Sequence, residues 1–77
     1  MIFCERLRRL RQNSALMQKD IADMLDVSAR TFSGWEAGRT EPSIEKIIKI
    51  AMIFGVSTDY LFGLSDKPFH ANDVDNN

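Results

Sequence analysis

The 77 residues include one cysteine, one histidine and two prolines, and these scarcities exclude several kinds of protein. Cys4 has no second cysteine for an internal disulfide, and no Cys/His set has the spacing of metal ligands, so neither covalent staples nor a metal or other cofactor is expected. No run of 18 apolar residues is present to cross a membrane. Ile2, Phe3 and Cys4 run straight into Glu5 and Arg6, where a secretory leader would carry its apolar stretch. The expected location is the cytoplasm, with no membrane partner. Neither sign of charge dominates, because ten Lys plus Arg stand against eleven Asp plus Glu. That balance lacks the basic excess usual in nucleic-acid binders. Strand-like alternation and internal repeats are also missing.

A chain this short forms one domain at most and buries only about 60% of the surface it exposes when unfolded. So small a core rarely encloses a substrate pocket, and the sequence holds no nucleophile–base pair. A binding module is expected, not an enzyme.

The 44% of apolar positions are arranged in helical periods. Phe3, Leu7 and Leu10 share one face of a helix from Phe3 to Gln12, whose other faces carry Glu5, Arg6, Arg8, Arg9 and Arg11. Leu16 is the inward residue of the connection that follows. Ile21, Ala22 and Leu25 mark a second helix from Gln18 to Leu25, with Asp20 in its first turn. Ser28 caps a third, from about Ala29 to Ala37, with Gly38 placed to end it. Ser43 caps a fourth, in which Ile44, Ile47, Ile48, Ile50, Ala51 and Phe54 supply core and Gly55 is the stop. Ser57 caps a short fifth helix over 58–62, closed by Gly63. Residues 65–77 lose the apolar period and are expected to be a mobile tail in which His70 has no role. The reading is an all-α chain: a five-helix domain over 1–64 and a flexible tail over 65–77.

Two helices of about eight and nine residues, joined by three, have helix-turn-helix spacing. The stretch from Gln18 to Ser43, anchored by Ala22, Val27, Ser28, Phe32, Trp35, Glu36, Gly38 and Pro42, resembles the helix-turn-helix of the Cro/C1-type, lambda-repressor-like DNA-binding domains. The resemblance extends to Leu7, Leu10 and Arg11 before it, and to Ile47, Ile50, Ala51, Phe54, Gly55, Val56, Ser57, Asp59, Tyr60 and Leu61 after it. It therefore covers about residues 3–63, with the helix-turn-helix at 18–37.

The resemblance implies a compact five-helix fold and a transcriptional regulator, a repressor in the first instance, whose third helix enters the major groove of double-stranded DNA. Ala29, Arg30, Ser33 and Gly34 would face the bases, with Ser28 and Thr31 at the groove edge. Arg30 is the one long side chain among them and can pair bidentately with guanine, unless it is simply a solvated helix-surface arginine. Gln18, Arg39 and Thr40 would hold phosphates, with Arg11 and Lys19 as weaker candidates. Arg11 and Glu36 would pair across the first and third helices. Arg6, Arg8 and Arg9 read as an ordinary solvated face, and Trp35 as a lid on the core edge.

Some residues depart from the family pattern. Met17 stands where a capping side chain is usual, and Ala15 and Asp26 stand where glycine is usual and a positive φ is expected. Gly34 weakens its helix by roughly 1 kcal/mol relative to alanine. The charge also divides unevenly: residues 1–13 carry four arginines against Glu5, whereas the tail carries Lys67 against Asp66, Asp73 and Asp75. One copy should thus bind DNA modestly and with strong salt dependence, which points to a homodimer, formed in solution or only on DNA, on a near-palindromic operator. The surplus apolar residues Met52, Ile53, Tyr60, Phe62, Leu64 and Phe69 are the candidate interface. No small-molecule ligand is expected. The competing reading is a protein-interaction module of the same fold, an antitoxin or adaptor, favoured by the near-neutral charge and short side chains at 29, 33 and 34.

Overall fold

The computed structural model describes residues 2–68. Five helices follow in order: α1 (Ile2–Gln12), α2 (Gln18–Met24), α3 (Ala29–Glu36), α4 (Ile44–Phe54) and α5 (Thr58–Phe62). Their boundaries are set by side chains that satisfy terminal backbone groups. Ser28, Ser43 and Ser57 each accept a hydrogen bond from the amide three residues on, those of Thr31, Lys46 and Tyr60. Met17 cannot accept one, so the start of α2 is held from the other side: its own amide donates to the Asp20 carboxylate at 2.7 Å.

One core joins the helices. Phe3 and Leu7 of α1, Ile21 and Ala22 of α2 with Leu25 at its C-cap, Phe32 and Trp35 of α3, Ile50 and Ala51 of α4 and Leu61 of α5 are all buried together. Ala22 is buried within this core, and Val27, in the turn between α2 and α3, packs against it. Trp35 meets Phe32 edge-on at 5.9 Å between ring centroids and is buried with it. Gly38 turns the chain out of α3 at φ 77°, a conformation costly for any other residue, and a side chain there would also press on Cys4 Sγ. Among the described residues Asp26, at φ 58°, is the one non-glycine residue with a positive φ. Ala15 has none, so only one of the two glycine-like positions needs that conformation.

Three expectations need correction. Ile44 and Ile48 do not supply core: they are exposed, and with Met52 they form a stripe at four-residue spacing along the outer face of α4. Helix α4 is apolar on nearly every side, so its sequence does not say which face turns inward. Arg6 does not belong to a solvated face with Arg8 and Arg9. Its guanidinium lies 4.2 Å from the Tyr60 ring centroid and donates to the carbonyls of Tyr60 and Ser65, the latter at 2.6 Å, and to Asp66 Oδ1 at 3.1 Å. The chain consequently does not come loose at 65. It folds back on α1 and α5, and the Pro68 carbonyl accepts from the Ser57 amide at 2.7 Å. The remaining tail positions, including Phe69 and His70, lie outside the described residues.

Candidate nucleic-acid interface

Helix α3 is pinned by Phe32, Trp35 and Glu36, all buried. At about 100° per residue, that leaves Arg30, Ser33, Gly34 and Ala37 on the opposite side, with Ala29 at the N-terminal end. Ala29, Arg30 and Thr31 are exposed, and Ser33 is half-buried. The Ser28 hydroxyl donates to Thr31 Oγ1 at 3.0 Å while it accepts the Thr31 amide, so both hydroxyls are engaged in starting the helix. Gly34 differs from the rest of its face because it is buried.

The turn over 25–28 that sets α3 across α2 is built locally. Leu25 caps α2, the left-handed Asp26 reverses the chain, and the Val27 amide returns to the Ala22 carbonyl at 2.9 Å. Lys46, from the first turn of α4, donates its ammonium to the Leu25 carbonyl. A cation there suits the negative end of the α2 dipole. Its position in a helix start gave no hint of this contact, which links residues 21 apart.

Glu36 ties three helices together. Its carboxylate accepts from Arg11 Nε at 2.6 Å, from the Arg11 terminal nitrogen at 3.1 Å and from Gln18 Nε2 at 2.8 Å. The Glu36 residue is 3% exposed. The hydrogen bond to Glu36 pushes the Arg11 pKa up, against the opposing effect of burial and with further help from the carboxylate's charge. Folding therefore stabilises the charged guanidinium, and at the alkaline end this contribution fades only as the pH rises through and above the ordinary arginine range. The resulting bridge fixes the end of α1 and the start of α2 against the end of α3.

Two depressions flank α3. One is lined by Arg11, Met17, Gln18, Lys19 and Ala29. The other, an open groove of about 600 Å³, runs from Arg30 and Thr31 along the loop residues Arg39 and Thr40 to Ser43 and Lys46 at the start of α4. The candidate phosphate groups thus separate onto the two sides of the exposed helix. Gln18 and Arg11 spend part of their donor capacity on Glu36, whereas Lys19, Arg30, Arg39 and Thr40 are exposed.

Of the candidate interface residues, Met52, Phe62 and Leu64 are exposed. Ile53 and Tyr60 are not available in the same way: Ile53 packs against the core, and the Tyr60 ring lies under Arg6. Ile44, a large apolar side chain expected in the core, is 78% exposed.

The helix-turn-helix family profile matches residues 7–61. The chain is 33% identical over 67 residues to the uncharacterized HTH-type transcriptional regulator YobD of Bacillus subtilis, covering 87% of this chain and 60% of that protein. It is 36% identical over 61 residues to an HTH-type transcriptional regulator of Methanocaldococcus jannaschii, covering 79% of this chain and 92% of that one. Among solved structures, the P22 c2 repressor in complex with a synthetic operator matches with a TM-score of 0.74 and 31% identity, over 79% of this chain and 92% of that one. With respect to YobD the chain spans less than two thirds of the relative's length. By sequence and by fold, this chain belongs to the Cro/C1-type helix-turn-helix family.

Proposed function

We propose that the chain is a sequence-specific DNA-binding transcriptional regulator, a repressor that occupies an operator by laying the N-terminal part of α3 in the major groove. The observation that carries this reading is the placement of donors on both sides of a helix whose outward face, Arg30 apart, holds only small residues. Arg11, Gln18 and Lys19 line one flank; Arg30, Arg39, Thr40 and Lys46 line the other. A helix in the major groove has a sugar–phosphate strand on either side, so cations and amides are needed on both flanks. The P22 c2 repressor, which shares this fold, is bound to an operator in its solved structure.

Ala29, Arg30 and Ser33 are assigned to the base edges, with Ser28 and Thr31 at the rim. Dimerisation is assigned to the exposed apolar side chains Met52, Phe62 and Leu64 together with Ile44 and Ile48 of the α4 stripe.

Retardation of random and pool-selected duplexes across a salt series tests the reading. Binding should weaken steeply with salt, and selected duplexes should carry two half-sites about 34 Å apart from centre to centre. Arg39→Ala should weaken selected and random duplexes alike and flatten the logarithmic salt slope by about 1. Absence of retardation at low salt would sink the DNA-binding reading and leave the protein-interaction module in its place.

A further inference from the structure

Gly34 stands one helical turn after Arg30 on the face of α3 that points away from the core, yet it is buried. The core cannot be what covers it. The Arg39 amide donates to the Gly34 carbonyl at 2.9 Å, the Thr40 amide reaches the same oxygen at 3.5 Å, and a Cβ built on Gly34 would lie 3.1 Å from Thr40 Oγ1. The loop after α3 therefore closes over the helix at the one position that has no side chain.

A glycine in the middle of an eight-residue helix weakens it, so local propensity gives no reason for it. Close approach of a second backbone segment does. The same contact fixes where Arg39 and Thr40 sit relative to Arg30, since all of them line one groove with Gly34.

We infer that Gly34 is a positioning residue: its missing side chain seats the 37–43 loop against α3 and so sets the spacing between the base-reading Arg30 and the phosphate-holding Arg39 and Thr40. This rests on the DNA-binding reading and deepens it. A merely structural glycine would show its effect in stability. A positioning glycine separates stability from affinity, because alanine restores helix propensity while its Cβ pushes on Thr40.

A double-mutant cycle with Gly34→Ala and Thr40→Ala tests this, reading thermal stability, affinity for a selected duplex and amide exchange at Arg39. Gly34→Ala is expected to keep or raise the melting temperature, to lose about tenfold in affinity and to speed exchange of the Arg39 amide. In the Thr40→Ala background the same change should cost less than about twofold in affinity. Binding by Gly34→Ala within twofold of wild type, unchanged Arg39 exchange, or an equal affinity loss in both backgrounds would each overturn the inference. Failure of the DNA-binding reading looks different, since wild type itself would then retard no duplex; the exchange measurement needs no DNA.

Discussion

Phe32→Ala is expected to destabilise the domain by about 3–5 kcal/mol. Phe32 is fully buried, is the largest such side chain among the described residues, and meets the Trp35 ring within the common core. Truncation removes its transfer free energy and leaves a void that rigid neighbours close only in part. A chain of this length has on the order of 4–12 kcal/mol of total stability at roughly 0.05–0.15 kcal/mol per residue. One substitution therefore consumes much of the margin, and urea denaturation should show a greatly lowered midpoint or no folded baseline. Phe32→Leu should cost much less, because it preserves an apolar side chain of appreciable volume. A loss below about 1 kcal/mol for the alanine variant would mean that α3 is not anchored as described.

Glu36→Ala should cost about 3 kcal/mol, because it leaves Arg11 and Gln18 without the carboxylate they converge on. The value lies at the lower end for a broken buried pair, since the Arg11 side chain retains 18% exposure to water. For a domain of this size, that corresponds to a fall in melting temperature of roughly 12–24 °C. Glu36→Gln keeps an acceptor and nearly the same shape but no charge, and should fall between wild type and alanine. DNA affinity should fall along with stability, because the bridge is what holds Arg11 and Gln18 against the end of α3. Equal stability of all three proteins would show that the bridge contributes only as much as an exposed ion pair.

Much of the fold was legible because its signals are local. Ser28, Ser43 and Ser57 cap the amides three residues on, and Gly55 and Gly63 end α4 and α5 in the left-handed conformation. These contacts need only a few consecutive residues. The Arg11–Glu36 pair was legible for another reason: it came from family resemblance, carried over position by position.

What stayed hidden depends on groups far apart in sequence. Arg6 looks like its neighbours Arg8 and Arg9, and only the return of the chain 54 to 60 residues later distinguishes it. Gly34 is base-facing by family resemblance alone; no pattern within α3 shows that the following loop lies over it. Ile44 and Ile48 look like core in the sequence because α4 is apolar on most sides, and periodicity cannot choose between faces that are equally apolar. The charge balance was misleading in a related way. Asp66 and Arg6 pair with each other, so part of the nominal charge at each end of the chain is internally matched and bears little on the face around α3.

In the proposed function, α3 reads bases through Arg30. The most direct measurement is the affinity of wild type and Arg30→Ala for a pool-selected duplex and for random duplex at one salt concentration. Arg30 is exposed and stands on the outward face of α3, so its removal should leave folding intact. The expected result is a loss of about 1–3 kcal/mol on the selected duplex, roughly 5- to 150-fold, with a much smaller loss on random duplex and relaxed preference at one base position. An equal loss on both duplexes, or none on either, would contradict base reading by Arg30.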